Sequence, residues 1–323
     1  MLLPTFSFSS TADEVADALA HEIRGKNVLI TGTSLNGVGF DAARAMAKYA
    51  NLVIITGYNA ERLKLSQEAI TKDVPSANIR CLSLDLSSFA DVRRAAAEVN
   101  AYTEPLHVLI HNAAAGIGPL QLTADNLELQ AATNHIGPFL LTKLLLEKVL
   151  AARAPSYTPR VVFVSALGHI FCDGVNWQTF GRPEQNGYQA FNTYFQTKSA
   201  NILTAAELTR RAGGRLHAYS VHPGVIYTNM FVKDQSMDYL KAFGILGPDG
   251  KPNTEKYEWK TVAQGAATTV AAAFDPRVED KPGSYLSDCV EANKDVAPHS
   301  SDPANAEKLW ALTEELIGET FSL

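Results

Sequence analysis

A doubly wound α/β fold, one mostly parallel sheet with helices on both faces, is the architecture this sequence predicts. Three observations predict it. Short unbroken apolar runs alternate with amphipathic helical patterns along most of the chain, the pattern of strands buried on both faces by crossover helices. A glycine-rich turn follows the first apolar run directly. A length of 323 residues, 46% of them hydrophobic, can bury the core of one large domain.

The elements follow in order. In TADEVADALAHEI, Thr11 precedes Glu14 at capping-box spacing, and Val15, Leu19 and Ile23 share a helical face. Residues 1–24 are therefore expected to form a helical extension on a single domain spanning 25–323. NVLIT (27–31) reads as a strand, the turn Gly32–Gly39 leads into the helix DAARAMAKYA, and the unit repeats. LVIIT (52–56) precedes AERLKLSQEAI, IRCLSL (79–84) precedes SFADVRRAAAEV, and HVLI (107–110) ends in an alanine- and glycine-rich turn. A long helical region over about 123–153, with a break expected at Gly137-Pro138, leads to VVFVS (161–165). A second long helix, about 189–212, precedes RLHAYSVH (215–222), which stops at Pro223-Gly224. Such a turn at a strand's carboxyl end is where open α/β sheets bind ligands. Residues 231–258, rich in Asp, Gly, Pro and Lys, read as a surface excursion. TVAQGAATTVAAAF (261–274) restores a helix, GSYLSD (283–288) is the last strand and ANAEKLWALTEELIG (305–319) the closing helix. No repeat or polar linker divides the chain.

Composition narrows the function. Lys+Arg at 28 against Asp+Glu at 34, a net charge of -6, gives no support to nucleic-acid binding. Cys81, Cys172 and Cys289 lie far apart without metal-ligand or disulfide spacing, which suits a reducing compartment and predicts no metal. The start MLLPTFSFSST lacks a basic region and soon meets Asp13, Glu14 and Asp17, unlike a secretory signal. No stretch approaches the roughly 20 apolar residues needed to cross a bilayer. A cytoplasmic protein with a small-molecule substrate and no membrane anchor is expected.

The loop TGTSLNGVG carries Gly32, Gly37 and Gly39 among Thr33, Ser34, Asn36 and Val38. Directly after the first strand, such glycines permit a tight turn and close backbone approach to a pyrophosphate at a helix N-terminus; an ordinary strand-to-helix turn would use some of the same residues. After the second strand, ITGYNAERL places Gly57, Tyr58 and Asn59 where an acid would accept ribose hydroxyls. Its absence removes repulsion of a 2′-phosphate and favours NADP(H) over NAD(H), with Tyr58 near adenine and Arg62 either a phosphate contact or a solvated helix residue. Asp85, with Leu86, ends the third strand, where a carboxylate could accept from an adenine amino group. Asn112, followed by Ala113 and Ala114, ends the fourth, and its side chain can tie loops together or touch the cofactor. In NTYFQTKSAN, Tyr194 and Lys198 share one helical face. A phenol with an ordinary pKa of about 10 needs a stabilised anion to exchange protons near neutrality, and a nearby ammonium and an oxidised nicotinamide would supply that.

The ordered array TGTSLNGVG, Asp85, HNAAAG, NHIGPF, VSALGH, YFQTK and HPGVIYTN, over about residues 25–230, resembles the short-chain dehydrogenase/reductase family, in the classical branch near retinol dehydrogenases, WW-domain oxidoreductases and their fungal relatives. The tail GAATTV to GSYLSDC resembles the same branch. The resemblance implies a Rossmann-type fold in which Tyr194 moves the proton of the substrate oxygen. Lys198 would hold the nicotinamide ribose and lower the tyrosine pKa, and Asn134 would keep a local helix distortion and position a water. His222, Pro223, Gly224, Val225 and Thr228 would flank the nicotinamide. Three departures stand out: four residues between Gly32 and Gly37 where three are usual, Ala114 in place of a glycine, and Ala166 where a second serine would hydrogen-bond the substrate oxygen. Ser165 matches the first serine position, which ordinarily helps build the site, and it is a candidate catalytic residue if it is displaced enough to substitute for the missing hydroxyl. Losing a donor aimed at developing negative charge costs about 3 kcal/mol.

The implied function is an NADPH-dependent oxidoreductase for a small hydrophobic ketone, aldehyde or secondary alcohol. The alternatives are a pocket redirected to cyclisation, isomerisation or elimination, and a non-catalytic dinucleotide-binding interaction protein. Aromatic residues Phe171, Trp177, Phe180, Tyr188 and Phe191 in the loop at about 170–190 could cover the substrate or pack the loop. Met230, Phe231, Met237, Tyr239, Leu240 and Phe243 could form a lid or an oligomer contact, and the long helices are compatible with a homodimer. His111, His135, His169 and His222 do not make a zinc site; His169 could contact substrate or brace its loop.

Overall fold

The structure, a computed structural model, describes residues 3–228 and 234–323; Met230 and Phe231 of the expected lid lie outside them. Thr11 caps α1 (Ala12–Ala18) with both halves of the capping box, its hydroxyl accepting from the Glu14 amide and the Glu14 carboxylate accepting from the Thr11 amide. The turn α2 (Ala20–Ile23) completes the extension. The alternating units are β1 (Asn27–Ile30), α3 (Val38–Ala47), β2 (Leu52–Gly57), α4 (Ala60–Asp73), β3 (Ile79–Ser83), α5 (Phe89–Asn100) and β4 (Val108–His111). They continue as α6 (Leu129–Ala131), α7 (Gly137–Leu150), β5 (Arg160–Val164), α8 (Ala190–Ala212) and β6 (His217–His222). Short strands β7 (Val225–Ile226) and β8 (Trp259–Lys260) bracket α9 (Asp234–Ala242); α10 (Val262–Phe274), β9 (Tyr285–Ser287), β10 (Val290–Glu291), α11 (Pro298–Ser301) and α12 (Pro303–Ile317) follow.

The main sheet runs β3-β2-β1-β4-β5-β6-β9-β10, parallel throughout except for β10 on β9. Strand residues alternate between two cores. Leu29, Leu109, Val161 and Phe163 face the layer of α5, α7, α8 and α12, while Val28, Ile30, Val108 and Val162 face α1, α3 and α10. Strand order reverses between β2-β1 and β4-β5, which opens a crevice at the carboxyl ends of β1 and β4.

Three expectations change. Residues 123–128 are not helical, and Gly137-Pro138 does not break the helix: α6 runs through a wide turn with π-type hydrogen bonds, Ala132–Ile136, straight into α7. Pro138 falls in the first turn of α7, beside that change of hydrogen-bond register, where a missing N–H is tolerated. Gly137 serves proximity instead, since a Cβ there would lie 2.2 Å from the Leu86 carbonyl oxygen. The excursion is more than surface: α9 and the loop after it bury Ser236, Leu240 and Leu246, and parallel pairing of β7 with β8 ties it at its base. The sheet also gains β10 through the turn Asp288-Cys289, both residues at positive φ (+52° and +67°).

Candidate active site

Along the carboxyl ends of the strands runs a continuous cleft of about 1060 Å³, lined from Gly32 and Tyr58 at one end to Tyr194 and Phe243 at the other. The first loop fits a backbone-lined cradle. Gly32 has φ +72°, and a Cβ on it would sit 2.6 Å from the Ala113 Cα; a Cβ on Gly39 would sit 2.2 Å from the Asn112 amide nitrogen. Gly37 caps α3 without a side-chain hydrogen bond, leaving first-turn N–H groups for an anion. Gly32, Ser34, Gly37 and Val38 line the cleft. Thr33 and Asn36 do not. Thr33 is buried, its hydroxyl donating to the Thr56 carbonyl at 3.2 Å, and Asn36 supplies a left-handed turn at φ +59°.

Tyr58 is 68% exposed at the rim, and Asn59 caps α4 by accepting from the Arg62 amide at 2.9 Å; exposed Arg62 lines the same end. One Asp85 oxygen accepts from the Ser87 amide (2.9 Å) and hydroxyl (2.6 Å), holding the turn after β3, while Leu86 lines the cleft beside it. Asn112 ties the first and fourth loops together, its side-chain amide donating to the Thr31 and Gly32 carbonyls, each at 2.9 Å, and it also lines the cleft. Ala113 and Ala114 line the wall between. Pro223, Gly224, Val225 and Thr228 line the far wall.

Tyr194 and Lys198 project from α8 into this cleft, the Lys198 ammonium 5.3 Å from the centre of the Tyr194 ring. Burial lowers the Lys198 pKa to about 8 and raises that of Tyr194 to about 12. Lys198 donates to the Val164 carbonyl at 3.0 Å. Asn134 sits within the wide turn; its Oδ1 accepts from the Ala115 amide (2.7 Å), its Nδ2 donates to the Thr197 hydroxyl (3.2 Å), and that hydroxyl donates to the Tyr194 carbonyl (2.7 Å). The loop after β4 is thereby linked to the tyrosine's own turn of α8. Ser165 is buried, and its single hydroxyl hydrogen goes to the Lys198 carbonyl at 2.7 Å, so none is left for a substrate. Ala166 lines the cleft without a polar group.

Above Tyr194 stands an aromatic wall: Phe191 and Phe243 stack at 4.6 Å, with Phe195 and Phe171 packed against them at 5.6 to 5.8 Å. Ile117, Leu240 and Ile245 continue it. The expected aromatic cover divides. Phe171 and Phe191 line the cleft, Phe180 and Trp177 join the sheet core instead, and the Tyr188 hydroxyl donates to buried Glu128 at 2.9 Å. From α9 and the turn after it, Leu240 and Phe243 face the cleft, Met237 packs behind them, and Tyr239 remains partly exposed.

Three histidines are structural. His111 and His135 are buried against the Thr142 and Thr313 hydroxyls. His169 uses both ring nitrogens, Nδ1 donating to the Ala166 carbonyl (2.8 Å) and Nε2 accepting from the Ala297 amide (3.3 Å), and so braces its loop. His222 differs, since its Nδ1 accepts from two backbone amides, of Leu167 and Gly224. Composition and motif spacing gave no sign of this contact, or of the buried Glu128 and Lys260. For Glu128 the available signal was an acid between Leu127 and Leu129; Lys260, between Trp259 and Thr261, carried none. Among the described residues no cluster could hold a metal, and no helix is long and apolar enough to cross a membrane.

Residues 26–169 match the family described as short chain dehydrogenase. The chain is 35% identical to the short-chain dehydrogenase TIC 32 A, chloroplastic, of Brassica napus, with 97% of this chain and 94% of that one covered. It is 34% identical to the WW domain-containing oxidoreductase of Homo sapiens, with 96% of this chain and 72% of that one covered. A solved 3-oxoacyl (acyl-carrier-protein) reductase from Agrobacterium tumefaciens C58, with NADP bound, matches with a TM-score of 0.61 at 20% identity over 83% of this chain and 95% of that one, a likeness of fold.

Proposed function

The chain belongs to the short-chain dehydrogenase/reductase family, and from that premise we propose that it is an NADP(H)-dependent oxidoreductase acting on a small hydrophobic ketone, aldehyde or secondary alcohol. One observation carries the reading: Tyr194 and Lys198 share a single cleft with the glycine cradle, and Asn134 links their helix to the loop after β4. Gly57, Tyr58 and Asn59 in place of an acid, with Arg62 beside them, support a 2′-phosphate at the adenosine end. The NADP bound in a solved protein of the same fold is in keeping with this.

The residues of the cradle and of the Pro223–Thr228 wall would hold the dinucleotide, which when bound supplies or accepts the hydride. Tyr194, kept protonated by burial, donates its proton to the substrate oxygen during reduction. The Lys198 ammonium beside the ring stabilises the phenolate left behind. The aromatic wall excludes water and selects apolar substrates. The test is NADPH oxidation across a carbonyl panel. Turnover falling at least about a hundredfold in Tyr194→Phe is expected; undiminished turnover, or failure of the protein to bind NADPH, overturns the proposal.

A second reading, a pocket redirected to isomerisation, cyclisation or elimination, is favoured by the methyl at Ala166 and the committed Ser165 hydroxyl. It predicts product without stoichiometric NADPH consumption.

A further inference from the structure

We propose that Lys260 is a positioning residue for the nicotinamide end of the cleft: paired with Asp288 and packed beneath Gly224, it keeps His222 as the hydrogen-bond acceptor that pins the loops after β5 and β6 to each other. The proposal rests on the reading of the cleft given above and extends it to residues outside the cleft lining. His222 Nδ1 accepts from the Leu167 amide at 3.2 Å and from the Gly224 amide at 3.4 Å. Leu167 follows Ala166 on one wall of the cleft, and Gly224 lies on the other. Accepting both bonds requires Nδ1 to be bare and the ring proton to sit on Nε2. Protonating Nδ1 would set a donor against two donors and release both loops.

Lys260 is built into this junction. A Cβ on Gly224 (φ +95°) would lie 2.7 Å from the Lys260 Cδ, so the loop backbone rests on the lysine's methylenes. Ile226, two residues on, is the register partner of Lys260 in the small sheet. The Lys260 side chain is 1% exposed, and its ammonium pairs with Asp288, whose own side chain is 40% exposed. The Phe8 ring, delivered by the N-terminal segment, covers the ammonium at 4.5 Å. The charged and titratable groups acting on His222 are Lys260, Asp288 and His169. Burial first, then Lys260, lowers the His222 pKa to about 4, with Asp288 opposing. The cation therefore helps to keep the imidazole neutral, and Asp288 makes that buried cation tolerable.

Nuclear magnetic resonance of histidine-labelled protein without cofactor reads the His222 titration directly, with the signal assigned by its loss in His222→Asn. In Lys260→Met the cation is gone while Asp288 stays, so the His222 midpoint should rise by about one pH unit; in Lys260→Arg it should stay near that of the unaltered protein. NADPH affinity, followed by fluorescence between pH 7 and 5, should fall about twofold more in Lys260→Met than in the unaltered protein, because a midpoint near 5 leaves about half the imidazoles protonated at pH 5. An unchanged midpoint, or parallel affinity profiles, overturns the proposal. If Lys260→Met does not fold, Asp288→Asn decides: a His222 midpoint that is lowered or stays below the accessible range supports the proposal, and a raised midpoint overturns it. Failure of the unaltered protein to bind NADPH would overturn the reading of the cleft, while the titration still decides the role of Lys260.

Discussion

Ser165 and Ala166 place the chemistry's weakest point at the end of β5. The serine hydroxyl is used by the Lys198 carbonyl and the alanine presents a methyl, so the substrate oxygen would meet Tyr194 alone of the usual donors. Ala166→Ser should therefore raise kcat/KM for carbonyl reduction, by up to about a hundredfold. An unchanged or lower value would identify a pocket rebuilt for other chemistry. Two other residues contribute most strongly among the histidines to the acid limit of the fold. His111 and His135 are buried neutral, each with its pKa lowered to about 3 by desolvation. The unfolded chain binds these protons below about pH 6.5 and the folded one does not, so stability present above that pH is lost as pH falls toward 3, at up to about 1.4 kcal/mol per pH unit for each group. Urea midpoints at pH 7 and pH 5 would show the loss, and a His111→Asn variant should flatten the slope. At this scale the meeting of Tyr194 and Lys198 in one cleft was legible, because they lie one helical turn apart. The loop tie made by Asn112 was not, because its partner Gly32 lies eighty residues away.

Among the elements, the wide turn Ala132–Ile136 explains how a helix can carry Gly137-Pro138 without breaking. The sequence pair looked like a stop signal because local propensity registers a missing N–H and a missing side chain. What decides the outcome is a carbonyl on another strand's loop: Leu86 needs the space a Cβ would fill. Gly137→Ala should cost about 1–3 kcal/mol as an overpacked contact and push the Asp85–Leu86 turn off the cleft. Lower urea stability together with weaker NADPH binding is the expected pair of results; lost stability with unchanged binding would separate the helix from the cofactor end. The strands were readable for the opposite reason, since unbroken apolar runs follow from burial on both faces. β10 was not, because Asp288-Cys289 is an unusual pair at positive φ and forms its turn under the constraints of Lys260 and Thr268.

For the whole molecule, the closing helix decides what the long helices can do. α12 lies across α7 and α8: Trp310 packs on Phe139 at 4.7 Å and under the Arg211 guanidinium, Thr313 meets His135, and Glu319 pairs with Arg93 and Lys143. The long helices that the sequence left compatible with a homodimer are thus covered on this face from within the chain. Light scattering should therefore find a monomer near 34.9 kDa, and deletion of residues 303–323 should produce self-association or loss of fold; a full-length dimer would show that another face is used. The sheet order has a further consequence, for synthesis on the ribosome. β5, buried along its whole length in the finished protein, acquires its outer neighbour only when residues 217–222 emerge. Until then a nascent chain carries an open, apolar strand edge of the kind that recruits other chains. A translational pause or truncation between residues 165 and 216 is thus the interval in which chaperone protection matters most.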